Sequence, residues 1–599
     1  MENREVARIL RETAQLLEID GAQIGRYRSY EKAAELIASL SEPIEELAKD
    51  TEKLTELPGI GDRMAEHIQE ILKKGDYSLR QKLLKKYPTT ILDLLSLQSL
   101  GPKKVALLWR KFKAGTVDQV ETLARDAKLR DLPGFGEKSE QNILKAVEVF
   151  KKVSGRFHLH VADQTAAQLI AHIMQLGKKK VESVTPAGSL RRGKETVGDL
   201  DLLLTLPATK HSQKDIDAIA DHILKYSAIE QVLARGENKV SFRLANGMQV
   251  DVRLLEKESY GAALLYFTGS KEHNVALRGL ANKMGYTLNE YALSTLKEER
   301  RVAGRREEEI YAKLKLDYIP PELRENTGEI EAAAAHRLPK LVTSEDMRGD
   351  LQMHTTASDG RNSIEEMAEA ARKLGYQYIA LTDHSKAVTV ANGMDEKRTI
   401  EQIKKIRAAN DRISAIRLLT GIEVDILKDG KLDLDDAVLA QLDVVVASVH
   451  SYMNLDRAAM TERLLAAIEN PYTQIIAHPT GRLLLRRDAF EYDMEKILDA
   501  ARQRGVAMEC NSYPDRLDLK DTYLRMAKDR GVKIVISTDA HSTGNLDFIR
   551  YGVQMARRGW LEKKDVLNTL PVEELLAALR AKPGTSAREP RRGAAAGRK

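Results

Sequence analysis

The sequence predicts a multidomain chain with three architectures in series: an all-α N-terminal region, a mixed α/β segment and a C-terminal parallel α/β fold. Three observations predict this. The chain has 599 residues, which at about 150 per domain makes three or four folding units. Residues 1 to about 150 read as short amphipathic helices separated by Gly-containing turns, with few β-branched runs. Beyond residue 340, seven strand-like runs (GDLQMH, YQYIALTDH, IRLLTGIEVD, LDVVVASVH, TQIIAHP, GVAMECN, VKIVISTDAH) alternate with helical ones, as in a barrel or another parallel α/β fold.

In the N-terminal region a turn recurs: Leu57-Pro58-Gly59-Ile60-Gly61, then Leu100-Gly101-Pro102-Lys103, then Leu132-Pro133-Gly134-Phe135-Gly136. Such a turn opening a helix exposes backbone N–H groups and the positive end of the helix dipole to a phosphate. A lone Gly-x-Gly is more often an ordinary helix–helix turn. Two good copies and a looser third reverse that balance, and they predict DNA held through its backbone without sequence readout. The middle segment carries KVSFRLA, Asn246-Gly247 and MQVDVRLL, a two-residue hairpin signal between alternating runs.

Composition excludes several classes. Lys plus Arg number 95 against 89 acidic residues, a formal charge of +6. The 19 residues from Ala581 carry a net +5, so the body is near neutral and overall charge says little about nucleic acid. A single cysteine, Cys510, excludes a disulfide framework or a cysteine-based zinc module. The charged, amphipathic N-terminus has no apolar signal-peptide core, and no apolar run reaches the ~18 residues of a membrane span. A cytoplasmic, nucleoid-associated protein with no membrane partner is expected.

The most informative stretch of the first half is Gly188-Ser189-Leu190-Arg191-Arg192-Gly193 followed by Gly198-Asp199-Leu200-Asp201. Asp199 and Asp201 sit two apart on an apolar strand, so both carboxylates point to one face. Like charges there call for cations, and two oxygen-liganded ions, Mg²⁺ or Mn²⁺, support in-line phosphoryl displacement. Asp251, on the second arm of the Asn-Gly hairpin, supplies a third acid. Ser189 and Arg192 are placed to hold a triphosphate.

With Tyr266-Phe267-Thr268-Gly269-Ser270, Asn274 and Arg278, these residues make the first 320 resemble a family X DNA polymerase, close in layout to the polymerase beta type. The resemblance implies an α+β nucleotidyltransferase palm and gapped or nicked DNA and dNTPs as partners. Asp199, Asp201 and Asp251 would be catalytic. Gly188, Ser189, Arg192, Gly198, Tyr266, Phe267, Gly269, Asn274 and Arg278 would bind the nucleotide, the aromatic pair lining its sugar and the last two facing the minor groove. RYRSYEKAA and LPGIGDRMAEHIQEIL are similar to the family's 5′-phosphate pocket, making Arg26, Tyr30 and Arg63 phosphate contacts. Gly59, Gly61, Gly101, Lys103, Gly134 and Gly136 would be DNA contacts in the helix-hairpin-helix turns. The position of the family's Schiff-base lysine is His67, which cannot form an imine as a primary amine does, so little or no lyase activity is expected.

After residue 340 there are five histidines, His354, His384, His450, His478 and His541, each closing or following a strand run. Asp359, Glu423 and Asp539 occupy comparable strand ends, giving eight N and O ligands on one rim, a mixture suited to Mn²⁺, Zn²⁺ or Fe²⁺. This half resembles a PHP (polymerase and histidinol phosphatase) domain. The resemblance implies a distorted (β/α)7 barrel with up to three metals: His354, Glu423 and Asp539 on one, Asp359, His384 and His541 on a second, Glu423, His450 and His478 on a third. The first motif departs from the family's His-x-His, reading Gln352-Met353-His354. Arg482, Arg486 and Arg487 are either phosphate contacts or a solvated basic loop.

The expected organisation is a lyase-like helical domain (1–85), a fingers/thumb-type helical domain (86–153), the palm (154–255), a C-terminal polymerase subdomain lining the nascent base pair (256–320), a linker (321–345), the PHP domain (346–580) and a disordered basic tail (581–599). The expected function is gap-filling repair synthesis with 3′–5′ exonuclease activity, abasic-site cleavage and 3′-end cleaning being further options for the barrel. Two rivals stay open: a phosphatase of small phosphomonoesters tethered to DNA, and a non-catalytic DNA-binding scaffold. The oligomeric state is not fixed by the sequence, and nothing in it requires more than a monomer.

Overall fold

The computed structural model describes residues 3–40, 44–97, 100–153, 155–207 and 212–580; the expected basic tail lies outside them. The chain divides into two compact units, Met1–Ser154 with Leu485–Arg487, and Gly155–Leu484 with Asp488–Lys599.

The first unit is helical. Its core is built from one face of each amphipathic helix, including Leu10, Leu16, Ile37, Ile68 and Leu108, all fully buried. Gly61 and Gly101 cap the helices α1 (Asp62–Lys74) and α2 (Pro102–Phe112), and a third turn precedes α3 (Glu137–Val153). Gly59 and Gly134 hold φ of +85° and +79°, which L side chains rarely adopt. A Cβ at Gly59, Gly61, Gly101, Gly134 or Gly136 would meet no atom within 4 Å. Among the described residues nothing fills the space over these turns, so the glycines are not there for internal packing.

The second unit begins with a five-stranded sheet: β1 (Ser183–Pro186), β2 (Asp199–Thr205), β3 (Ile229–Arg235), β4 (Lys239–Leu244) and β5 (Gln249–Leu255), in the order β1-β2-β5-β4-β3. β4 and β5 form the hairpin, with Gly247 at φ +86° in its turn. β2 runs parallel to β5 with Asp201 opposite Asp251. In β2, Leu200 and Leu202 are fully buried, so the alternation turns Asp199 and Asp201 away from that core. The single turn α4 (Gly188–Arg191) precedes β2, and α5 (Tyr260–Thr268) and α6 (Lys271–Lys283) follow β5.

Residues 321–345 are not the free linker expected from their Glu and Ala content. Leu323, Ala333 and Leu341 are packed into the core that follows the palm. Arg324 is fully buried, donating to Glu307 at 2.6 Å and to the Ile319 carbonyl at 2.9 Å. Composition misleads here because buried anchors, the glutamate Glu329 among them, fix the segment.

Seven parallel strands follow, each paired with the next in sequence: β6 (Gly349–Asp350), β7 (Tyr378–Leu381), β8 (Arg417–Asp425), β9 (Val444–Ser448), β10 (Ile475–Ile476), β11 (Ala507–Asn511) and β12 (Ile534–Ser537). A parallel bridge between Met353 and Ala540 joins the two ends of the series, leaving a nearly closed barrel filled by Leu351, Ala380, Leu419, Val446 and Val535. Helix α7 (Ile549–Arg558) packs outside β11 and β12. No helix among the described residues is long and apolar enough to cross a membrane.

Candidate active sites

A cleft of about 540 Å³ opens beside β2. Asp199, Asp201, Gly188, Ser189, Arg192, Gly198, Tyr266, Phe267, Gly269, Asn274 and Arg278 all line it, so every nucleotide-binding candidate read from the sequence converges there. Arg156, Lys194 and Lys271 also line it and were missed, because lone basic residues carry no motif. Gly188, at φ +58°, lets the turn approach the acids: a Cβ there would lie 2.8 Å from Asp201 Oδ2. Burial, with the charges of Asp199 and Asp251, pushes Asp201 up to about 7. Asp251 lies beside it on β5 and is ion-paired with Lys239 at 2.8 Å. Burial raises the pKa of Asp251, but the Lys239 ammonium, with the Arg253 charge behind it, outweighs burial and holds the pKa below the usual range. Its Oδ1 is buried with no hydrogen-bond partner. An all-oxygen set with an orphaned carboxylate oxygen fits a hard divalent cation.

The barrel mouth brings all eight predicted ligands together. Glu423 is the hub: Oε1 lies 3.0 Å from His478 Nε2 and 3.3 Å from His450 Nε2, and Oε2 lies 3.3 Å from both His354 and His384. Asp539 is 3.1 Å from His354, and Asp359 is 3.5 Å from His541 and 3.7 Å from His384. Burial opposes charge on His354 and His450, yet the surrounding carboxylates push each up to about 9. Burial, helped by the charges of His354 and His450, carries His384 down to about 4 against the pull of Glu423 and Asp359. Nδ1 of His354, His384 and His478 and Oε2 of Glu423 are buried without hydrogen-bond partners. His478 and Asp539 sit at φ +28° and +53°, a strained backbone that places both side chains in the mouth. Mixed imidazole and carboxylate groups with unused nitrogens suit transition-metal ions.

Several supporting residues carried no sequence signal. Asp425 accepts from His450 Nδ1 at 3.1 Å, Asn511 donates to Asp539 at 3.1 Å, Glu509 accepts from the His478 backbone N–H at 2.6 Å, and Arg516 pairs with Asp539 at 3.4 Å. Gln352, where the resemblance leads one to expect histidine, is buried with neither amide atom hydrogen-bonded. Arg482 is 8% exposed and spent on the Arg516 and Leu517 carbonyls and on Glu195, so it is not a free phosphate contact.

In the first unit, Arg26, Tyr30, Gly59, Gly61, Arg63 and His67 line one pocket of about 790 Å³ together with Lys82. Tyr30 OH and His67 Nδ1 are 3.1 Å apart. Burial and the Arg63 charge lower the His67 pKa, which favours the neutral ring. Gly101 and Gly134 lie on the other two turns, with Lys103 in the first turn of α2 and Gly136 just before α3.

Three acids on adjacent strands beside a Gly-Ser turn, joined in one chain to a barrel mouth of clustered imidazoles and carboxylates that could hold metal ions, define a nucleotidyltransferase fused to a phosphoesterase. Family models match successive segments: a helix-hairpin-helix domain over 1–77, a SAM-like helix-hairpin-helix tandem over 91–148, the DNA polymerase beta palm over 161–244, the DNA polymerase beta thumb over 263–325, rather than in 86–153 where thumb-type character is expected from the sequence, and the PHP domain over 350–513. The chain belongs to the PolX family of polymerase beta-like enzymes with a C-terminal PHP domain: it is 37% identical over 582 residues to "DNA polymerase/3′-5′ exonuclease PolX" of Bacillus subtilis (strain 168), covering 97% of this chain and 100% of that one. The barrel alone is similar to a "Probable phosphatase" of Thermoanaerobacter sp. (strain X514), 29% identical over 37% of this chain and 89% of that protein. The polymerase half is similar to rat DNA polymerase lambda, 25% identical over 45% of each chain.

Proposed function

We propose that this chain fills short gaps in DNA by template-directed nucleotide addition and trims 3′ ends in its barrel. The observation that carries the first half is the register of Asp201 against Asp251 with Asp199 two residues away, all beside the Gly188-Ser189 turn. Two Mg²⁺ or Mn²⁺ ions held by Asp199, Asp201 and Asp251 would neutralise charge at the α-phosphate and make the primer 3′ hydroxyl a better nucleophile. The chain's own residues position the substrates. Ser189 and Arg192 take the triphosphate, Tyr266, Phe267 and Gly269 line the sugar, and Asn274 and Arg278 face the minor groove of the new pair. Asp201, half protonated near neutrality without cations, gives up that proton when the site is loaded.

In the barrel, Mn²⁺, Zn²⁺ or Fe²⁺ held by the eight ligands would polarise a phosphodiester and supply a nucleophile from water at neutral pH. Arg516, near the mouth through Asp539, adds positive charge for the scissile phosphate. Removal of a 3′ phosphate is the second reading, favoured by the similarity of the barrel to proteins named as phosphatases. The test uses the full chain on a gapped duplex with all four dNTPs, and on a 3′-phosphorylated duplex beside a nucleoside monophosphate. Incorporation of only the templated nucleotide, with release from the duplex ends and not the monophosphate, supports the proposal. Hydrolysis of the monophosphate alone overturns it.

A further inference from the structure

The turn that carries Ser189 and Arg192 is clamped from the barrel side. Arg558, at the end of α7, donates to the Arg192 carbonyl at 2.9 Å and to Glu325 Oε1 at 2.9 Å, and is ion-paired with Asp521. Its side chain is 2% exposed. One turn earlier on α7, Gln554 lies so close to Gly193 that a Cβ there would fall 2.3 Å from Gln554 Cγ. The Arg192 guanidinium is engaged elsewhere: Nε donates to the same Glu325 Oε1 at 3.0 Å, and one terminal nitrogen donates to the Thr268 carbonyl. Glu325 is therefore shared by two arginines, one from the nucleotide turn and one from the barrel.

We propose that Arg558 is a positioning residue for the nucleotide pocket, acting as the counter-charge that lets Arg192 pass from Glu325 to an incoming triphosphate. This deepens the reading of Arg192 as a triphosphate contact and rests on it. When Arg192 turns toward phosphate, Glu325 stays largely buried and, Arg558 aside, would keep only Lys194, 4.0 Å away and itself lining the nucleotide cleft, a costly state for a carboxylate. Arg558 removes that cost because it already holds the same oxygen and, being wedged against Asp521, has no reason to move. Without Arg558, Glu325 would retain Arg192 in competition with the nucleotide. The barrel thus contributes to polymerisation through α7, independently of the candidate ligands at its mouth.

The test is single-nucleotide gap filling by the full chain, with 3′-end trimming and thermal melting measured in parallel. Arg558→Met keeps the aliphatic stem and is expected to raise the dNTP KM about tenfold with kcat little changed, the pattern of lost ground-state binding. Trimming should be unaffected. Removing the trap as well, in Arg558→Met with Glu325→Gln, should bring the KM back toward the original value, which a merely structural role would not do. Arg558→Lys, which retains the charge, should stay within about twofold of the original KM and stands in if the methionine variant melts early. An unchanged KM in Arg558→Met, or no recovery in the double variant, overturns the inference. If Arg192→Gln raises the KM in that case, the reading of Arg192 survives; if it too leaves the KM unchanged, that reading falls as well.

Discussion

Asp201 stands directly opposite Asp251 on the neighbouring parallel strand, and the two carboxylates are in different states: Asp251 is paired with Lys239, whereas Asp201 has no such cation against it and is pushed up to about 7. In the metal-free form Asp201 is protonated below that value although its ordinary pKa is 3.8, so its burial destabilises the fold increasingly as pH rises from about 4 toward 7. Cation binding requires the proton to leave. The Mg²⁺ affinity of this site should therefore rise about tenfold per pH unit below 7 and level off above it. Calorimetric Mg²⁺ titrations of the DNA-free protein from pH 5.5 to 8.5 check this, and a flat profile would count against the coupling.

Glu307 is the anchor behind the nucleotide turn. It accepts from Arg191 at 2.7 Å and 2.9 Å and from Arg324 at 2.6 Å. Burial opposes its charge, but the two guanidiniums hold it at about 2. The stability it provides is complete above its ordinary 4.5 and is lost as pH falls toward 2. Glu307→Ala leaves the fully buried Arg324 without its carboxylate and should cost about 3–5 kcal/mol, read as a fall in the denaturant midpoint. A change within experimental scatter would refute the anchoring role.

Glu423 bridges four histidines, so one substitution should empty more than one position. Glu423→Gln is expected to lower the metal content of the purified protein by at least two ions per chain, measured by elemental mass spectrometry, while gap filling persists. Loss of a single ion would show that the carboxylate is not the shared ligand its geometry indicates.

The pocket around Arg26, Tyr30 and Arg63 lacks its amine at position 67. Borohydride reduction on nicked abasic DNA should trap little adduct, and His67→Lys should create one, since the imine needs only a primary amine at that point. A strong adduct with the unaltered chain would place the nucleophile elsewhere; Lys82, in the same pocket, would be the first residue to replace.

The acids, the Gly-Ser turn and the five barrel histidines were legible because each sits in a short local pattern: alternation on one strand, glycine at a tight turn, a ligand at a strand end. What was not legible is long-range. Arg558 lies 366 positions from Arg192 in the chain, and Lys239 meets Asp251 only through strand pairing. Residues 321–345 look like a solvated tether, because nothing in their composition tells that Arg324 and Glu325 face buried partners. Arg482 shows the converse, a basic residue in a loop whose donors are consumed by backbone carbonyls.

Nucleotide addition by three carboxylates on two adjacent strands is checked by insertion of the templated nucleotide into a one-nucleotide gap by Asp251→Ala, compared with the unaltered chain at saturating Mg²⁺. A loss of about 10²-fold or more is expected, with 3′-end trimming retained; insertion at the full rate would refute the role of these carboxylates.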